Sequence, residues 1–307
     1  MDRRTFLKWQ MQGVLLAGVA PALLTTSPVA QAASAIPDIA VAKGDPAAAA
    51  RAAVTMLGGM GRFVKPGQRV VIKPNMSFAN TPESATNTHP FVVAEVLRMV
   101  KDAGASRVRV LDHSLQHPER ALQLSGIRDA CDAVESGICH HLMDSKFYRD
   151  TVFSDGVAMK GNAVMADVLE ADVIIAVPVA KHHGGAGVSL SLKGQMGLIF
   201  DRGSMHSRYD LQTAIVDLNT RLKPTLTIID ATRVLTTAGP SGPGKVITPG
   251  EVIASADPVA ADATAVASYE WYGRKLEPRQ VGHIRLAHER GLGRMDIANL
   301  TTGHVTA

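Results

Sequence analysis

Positive charge and imidazole recur where short apolar runs end. The run Arg69–Lys73 gives way to Pro74-Asn75, and Arg107–Leu111 to Asp112-His113-Ser114. Asp172–Val177 leads into Lys181-His182-His183-Gly184-Gly185, and Thr225–Asp230 into Ala231-Thr232. Lysine and arginine hold carboxylates and phosphates, imidazole moves a proton near neutral pH, and a carboxylate orients an imidazole. Four polar exits of this kind predict one site for a small anionic molecule. Lys181 to Arg208 is the richest stretch, because its glycines allow the backbone to approach a ligand and Lys181, Lys193, Arg202 and Arg208 supply charge. The expected ligand contacts are Lys73, Asn75, Lys181, Ser189, Ser191, Lys193 and Arg202. For catalysis, His182 or His206 is expected to move a proton, with Asp230 orienting one of them.

A metal is the competing chemistry for His182, His183, His206 and Asp230, since imidazole and carboxylate are common ligands. Neighbouring residues of an extended strand point to opposite sides, so His182 and His183 are poorly placed to share one ion. Cys131, Cys139, His140 and His141 carry ligand atoms, but their spacing matches no zinc pattern. His89 before Pro90, and Asp257 before Pro258, read as helix caps, while Asp262 is a weaker site candidate. Gly239 to Lys245 fits the first seven positions of a phosphate loop, yet Val246 stands where serine or threonine is needed and two prolines remove amide donors. Nucleotide hydrolysis is therefore not expected.

These residues need elements to position them. Arg69–Lys73, Arg107–Leu111, Asp172–Val177 and Thr225–Asp230 read as strands, and Phe91–Ala103, Tyr209–Leu222 and Pro258–Tyr272 as helices. Strands alternating with long helices predict an α/β fold, a mostly parallel sheet flanked by helices on both faces. In such sheets ligands bind beyond the carboxyl ends of the strands, where the four polar exits lie.

The chain resembles the domain-of-unknown-function family numbered 362. The resemblance rests on Lys73-Pro74-Asn75, Thr88-His89-Pro90, Lys181-His182, Ser189-Leu190-Ser191-Leu192-Lys193-Gly194, Arg202 with His206, Ile229-Asp230-Ala231, Gly239-Pro240 and Ala256-Asp257-Pro258-Val259-Ala260-Ala261-Asp262. It covers about residues 67–270. Many members of that family are similar to iron–sulfur proteins through cysteine-rich ferredoxin-like segments, which this chain lacks. Relatives usually read Lys-Asn where Lys193-Gly194 stands here.

The amino terminus predicts export. Arg3-Arg4 precedes an apolar stretch from Gly13 to Leu24 and a small-residue site at Ala30-Gln31-Ala32, the order of a twin-arginine signal peptide cleaved after Ala32. Pro21 and Thr25-Thr26-Ser27-Pro28 interrupt the stretch before the roughly 20 residues a membrane span needs. The reading gives residues 1–32 as the signal and 33–307 as one α/β domain, handled by the twin-arginine translocase and delivered to the periplasm with no stable membrane span. Folded export raises the expectation of a cofactor without naming one. The net charge of +4 loses three basic residues and one acidic residue with the signal, and the remaining +2 is too mild to suggest nucleic acid. Two cysteines cannot furnish the four thiolates of an iron–sulfur cluster, and in an oxidising compartment they could pair or stay free. A different class of function stays open: a non-catalytic protein that holds a metal or organic cofactor for a periplasmic redox partner.

Overall fold

The β-branched runs form the middle of the sheet. The computed structural model describes residues 36–307, which form one compact unit; the twin-arginine motif and its cleavage site lie outside the described residues. In chain order the strands are β1 Ile39–Lys43, β2 Arg69–Pro74, β3 Arg107–Asp112, β4 Cys139–His141, β5 Tyr148–Val152, β6 Gly161–Met165, β7 Val173–Val177 and β8 Val179–His183. They continue with β9 Gly187–Ser189, β10 Leu226–Leu235, β11 Val246–Ile247, β12 Glu251–Ser255, β13 Glu270–Trp271, β14 Arg274–Lys275 and β15 Thr302–Thr306. The main sheet runs β15-β1-β12-β10-β7-β2-β3-β4. Neighbours from β10 to β4 are parallel, and β12 is antiparallel to both β1 and β10. The fold is α/β with a mostly parallel, mixed sheet.

Side-chain alternation assigns the two faces. Val70, Ile72, Val108, Val110, Ile175 and Ile228 pack with helices α1 Pro46–Met56 and α2 Pro90–Asp102 on one side. Val71, Leu111, Ile229 and Ile253 pack on the other with α8 Leu211–Arg221, α9 Pro258–Ser268 and α10 Gly282–Glu289. The shorter helices between are α3 Pro118–Ser125, α4 Ile127–Asp132, α5 Ala166–Leu169, α6 Ser191–Gly194 and α7 Gly203–Ser207. Strand period 2 delivers alternate residues to the two cores, so both faces must be covered by apolar helix stripes.

Three long helices start by the same device, an acceptor side chain at the cap followed by proline. Asp45 accepts from Ala47 N at 3.1 Å, His89 Nδ1 from Phe91 N at 3.2 Å, and Asp257 from Val259 N and Ala260 N at 2.9 and 3.0 Å. The proline has no N–H to satisfy, and the cap serves the amides that follow. The capping roles expected for His89 and Asp257 are the roles the structure gives them.

Two expectations about boundaries are corrected. β10 does not end at Asp230 but runs to Leu235, because β8 lies parallel to its second half and β11 pairs with its end. Helix α9 stops at Ser268 rather than Tyr272, where the chain enters the β13–β14 hairpin and Trp271 is buried with its indole N–H donating to Val266 O at 3.1 Å. Cys131 in α4 and Cys139 in β4 are buried free thiols. The hydrogen bond with Cys131, then burial, pushes the Cys139 thiol up, which makes it a poor nucleophile.

Candidate functional site

A cavity of about 260 Å³ opens at the carboxyl ends of β2, β3 and β8. Each strand brings one or two polar residues. β2 ends in Lys73, β3 in Asp112, and β8 carries Lys181 and His183, which share a face because they are two apart in a strand. Ser189 stands opposite Lys181 in the β8–β9 register. The chain then turns into α6, which presents Lys193, and α7 follows with Arg202 as its cap and His206 on its last turn. Lys73, Asn75, Lys181, Ser189, Lys193, Arg202 and His206 all line the cavity, as do Asp112 and His183.

The three lysines are almost out of contact with water, at 2 %, 2 % and 8 % exposure for Lys73, Lys181 and Lys193. Lys73 alone has a carboxylate: its Nζ lies 3.2 Å from Asp112 Oδ1. Asp112 is held by Met76 N at 3.0 Å, the Ser77 hydroxyl at 2.9 Å and His113 N at 2.9 Å. Burial pushes its carboxyl up, but the charges of Lys73, His141 and Arg202 outweigh that and keep it below the usual carboxylate range. Gly197 makes this pair sterically feasible, since a Cβ there would fall 2.0 Å from Asp112 Oδ1 and 2.5 Å from Lys73 Cε.

Among the described residues Lys181, Lys193 and Arg202 have no carboxylate within ion-pair distance. Lys181 Nζ donates to Thr86 O and sits 4.7 Å from the centre of the Phe78 ring. Lys193 Nζ has Met196 Sδ at 3.5 Å as its hydrogen-bond contact. Arg202 Nη2 donates to Ser114 O at 2.9 Å. Burial, then the charge of Lys193, pushes Lys181 down to about 7. Burial, then Arg202 and Lys73, pushes Lys193 down to about 7 as well. Isolated buried cations cost several kcal/mol each, and a dianion in the cavity would relieve that cost.

His183 is fixed in one tautomer. Its Nδ1 accepts from Gly185 N and Ala186 N, both at 3.1 Å, so the ring proton is on Nε2. Burial, reinforced by Lys193, His206 and Lys181, holds the imidazole neutral with its pKa down at about 2. His183 is therefore a hydrogen-bond donor at this site and not a base. His206 stacks on it at 5.7 Å between ring centres and lies exposed at the rim. Burial, then Lys193 and Arg202, lowers the pKa of His206.

Three expected site residues lie outside the cavity. His182 points to the opposite side of β8, where its ring meets Tyr272 edge-on at 4.4 Å. Ser191 belongs to α6, not to a strand, and its hydroxyl shares a 2.9 Å hydrogen bond with Thr227. Asp230 is mid-strand and wholly buried. It accepts from His89 N at 2.7 Å, Thr232 Oγ1 at 2.6 Å and Arg233 Nη2 at 2.7 Å, a structural network that leaves no oxygen for an imidazole. Asn75 lines the cavity, but its side-chain oxygen accepts from Val179 N at 3.0 Å and ties β2 to β8. Asp262 acts from behind: its carboxylate receives Ser191 N at 2.8 Å and Leu192 N at 2.9 Å, anchoring the turn that carries Lys193. Burial pushes that carboxyl up to about 7, with the two amides opposing.

Asp112 and His183 stood at two of the polar strand exits without being placed among the expected ligand contacts or catalytic residues, and Ser77, which also lines the cavity, was not singled out. The signal for His183 was present, since a strand that aims Lys181 inward aims residue 183 inward too and turns 182 away. Among the described residues no three His, Cys, Asp or Glu side chains converge as a metal-binding group.

The fold and cavity define an α/β protein with a buried cationic pocket at its strand ends. The chain belongs to the family described as Domain of unknown function (DUF362), whose model matches residues 70–267. It is 26% identical over 192 residues to the thylakoid-associated protein sll1697 of Synechocystis, covering 60% of this chain and 57% of that protein. It spans little more than half the length of that curated relative. A lactate racemase apoprotein from Thermoanaerobacterium thermosaccharolyticum is similar in structure with a TM-score of 0.45 and 14% identity, covering 71% of this chain and 54% of the other. A protein of Thermotoga maritima is similar with a TM-score of 0.43 and 12% identity, covering 80% and 60%.

Proposed function

We propose that this protein binds a small anionic molecule at the carboxyl ends of β2, β3 and β8 and acts on it outside the cytoplasm. The observation that carries this reading is the set of three basic side chains, the buried Lys181 and Lys193 and the half-buried Arg202, facing one cavity with the single lining carboxylate, Asp112, already paired to Lys73. A carboxylate or phosphate supplies the missing negative charge, and Arg202 offers it a planar pair of donors. His183 donates from Nε2 to an oxygen of the ligand, and His206 at the rim exchanges protons with solvent. Export rests on the Arg3-Arg4 motif and the small-residue site that follows it.

The alternative, a carrier of a metal or organic cofactor for a redox partner, gains no metal-ligand cluster among the described residues. An organic anionic cofactor satisfies the same charges as a substrate. The test is thermal unfolding with and without sulfate or phosphate, on the wild type and on Lys181→Ala combined with Lys193→Ala. The reading predicts stabilisation that the double variant loses; equal stabilisation of both proteins refutes it. Mass spectrometry of the protein purified from its exporting host would name a retained molecule.

A further inference from the structure

Anion binding does not need every cation in the cavity, and Lys193 is placed differently from the rest. Lys73 is paired to Asp112, Lys181 is tied to Thr86 O and the Phe78 face, and Arg202 is tied to Ser114 O. The amine of Lys193 meets only the Met196 thioether, a weak acceptor that does not hold a proton on it. It is nevertheless rigidly delivered, because Asp262 pins the amides of Ser191 and Leu192 just before it. A desolvated amine beside other cations is the environment that turns lysine into a nucleophile toward carbonyl carbon.

We propose that Lys193 forms an imine with the carbonyl group of a small oxo acid whose carboxylate is held by Lys181 and Arg202. This rests on the anion reading above and names its substrate class. The Nζ lone pair attacks the carbonyl carbon and a C–N bond forms. The carbonyl oxygen takes a proton and becomes a hydroxyl, then leaves as water when C=N forms; the two hydrogens of the amine depart with that water in the net reaction. No oxidant or reductant takes part. Burial lowers the proton affinity of Lys193, so the amine has a neutral population near pH 7. His206 is the rim group that carries protons in and out, and the volume of about 260 Å³ suits a ligand of a few carbons. Once formed, the iminium draws electrons from the adjacent carbon, the step on which proton loss or decarboxylation at that carbon depends.

Pyruvate and glyoxylate, each with sodium cyanoborohydride, test the proposal on the purified protein by intact mass and peptide mapping. The expected result is one reduced adduct on Lys193, roughly tenfold above that on any other lysine. Lys193→Arg, which keeps the charge but cannot form the imine, abolishes it, and Lys223→Arg, at an exposed lysine outside the cavity, retains it. No adduct with either acid, or labelling spread over surface lysines, overturns the proposal. Sulfate stabilisation measured on the same preparation separates the two failures. If sulfate still stabilises the protein, only the imine is lost, and if it does not, the anion reading falls with it.

Discussion

Sulfate should bring protons with it when it binds. With Lys181 and Lys193 both pushed down to about 7 in the unliganded cavity, each holds only ~0.1 proton at pH 8. A dianion within ~4 Å of both amines favours their charged forms by more than two pKa units. Each lysine therefore gains ~0.9 proton, and binding takes up between about one and two protons per sulfate. Sulfate does not titrate in this range, so the uptake belongs to the protein. Calorimetry at pH 8 in two buffers of different ionisation enthalpy measures it directly. The same linkage makes affinity fall more than ~10-fold between about pH 8 and 9, and less steeply beyond, once the liganded lysines themselves lose their protons. A Lys181→Arg, Lys193→Arg protein, whose guanidiniums stay charged, should bind sulfate with little uptake. Uptake below ~0.3 proton in the wild type, with binding intact, would refute the claim that neutral lysines face the ligand.

Between pH 7 and 10.5 the unfolded chain keeps a proton on Lys181 and Lys193 that the folded chain lacks, so their penalty is complete below pH 7 and relieved as pH rises. Lys181→Met should thus be more stable than the wild type at pH 6 by a few kcal/mol, with the gap closing by pH 10 in urea titrations. Gly197→Ala should cost more than ~3 kcal/mol and abolish sulfate binding, because its methyl would displace the Lys73–Asp112 pair. Gly194→Ala should instead gain ~0.5–1 kcal/mol, since its backbone is helical and the nearest atom to a new Cβ, Pro178 Cβ, is 3.8 Å away. His182→Ala should leave the sulfate affinity within about twofold while His183→Ala lowers it ~10-fold, the reverse of what the Lys181-His182 motif suggests. Arg3→Lys with Arg4→Lys should keep the protein in the cytoplasm, read by fractionation of the host.

The central parallel strands were legible because β-branched runs between helical stripes leave few alternatives. Arg69–Lys73 and Arg107–Leu111 each extend by one residue in the structure, and Phe91–Ala103 shifts by one at each end. The edge of the sheet was not legible. β1, β12 and β15 are short and depend on each other, with β12 antiparallel between β1 and β10, so no local pattern announces them. In the site, charge type was readable and direction was not. Lysine, arginine and glycine between positions 181 and 208 pointed to one anion pocket, and Lys73, Lys181, Lys193 and Arg202 do converge. Asp230 was misplaced because its strand was taken to stop where apolar residues gave way to polar ones. Paired on both sides by β8 and β12, the strand continues and its carboxylate is spent on Arg233. His183 was passed over for its neighbour, although alternation from Lys181 selects it.

The most direct test of the account is a crystal of the protein soaked in selenate, whose anomalous scattering marks the anion without ambiguity. The account predicts one strong peak inside the cavity, within hydrogen-bonding distance of Lys181, Lys193 and Arg202. A cavity without the peak, or selenate bound only on the outer surface, would contradict it.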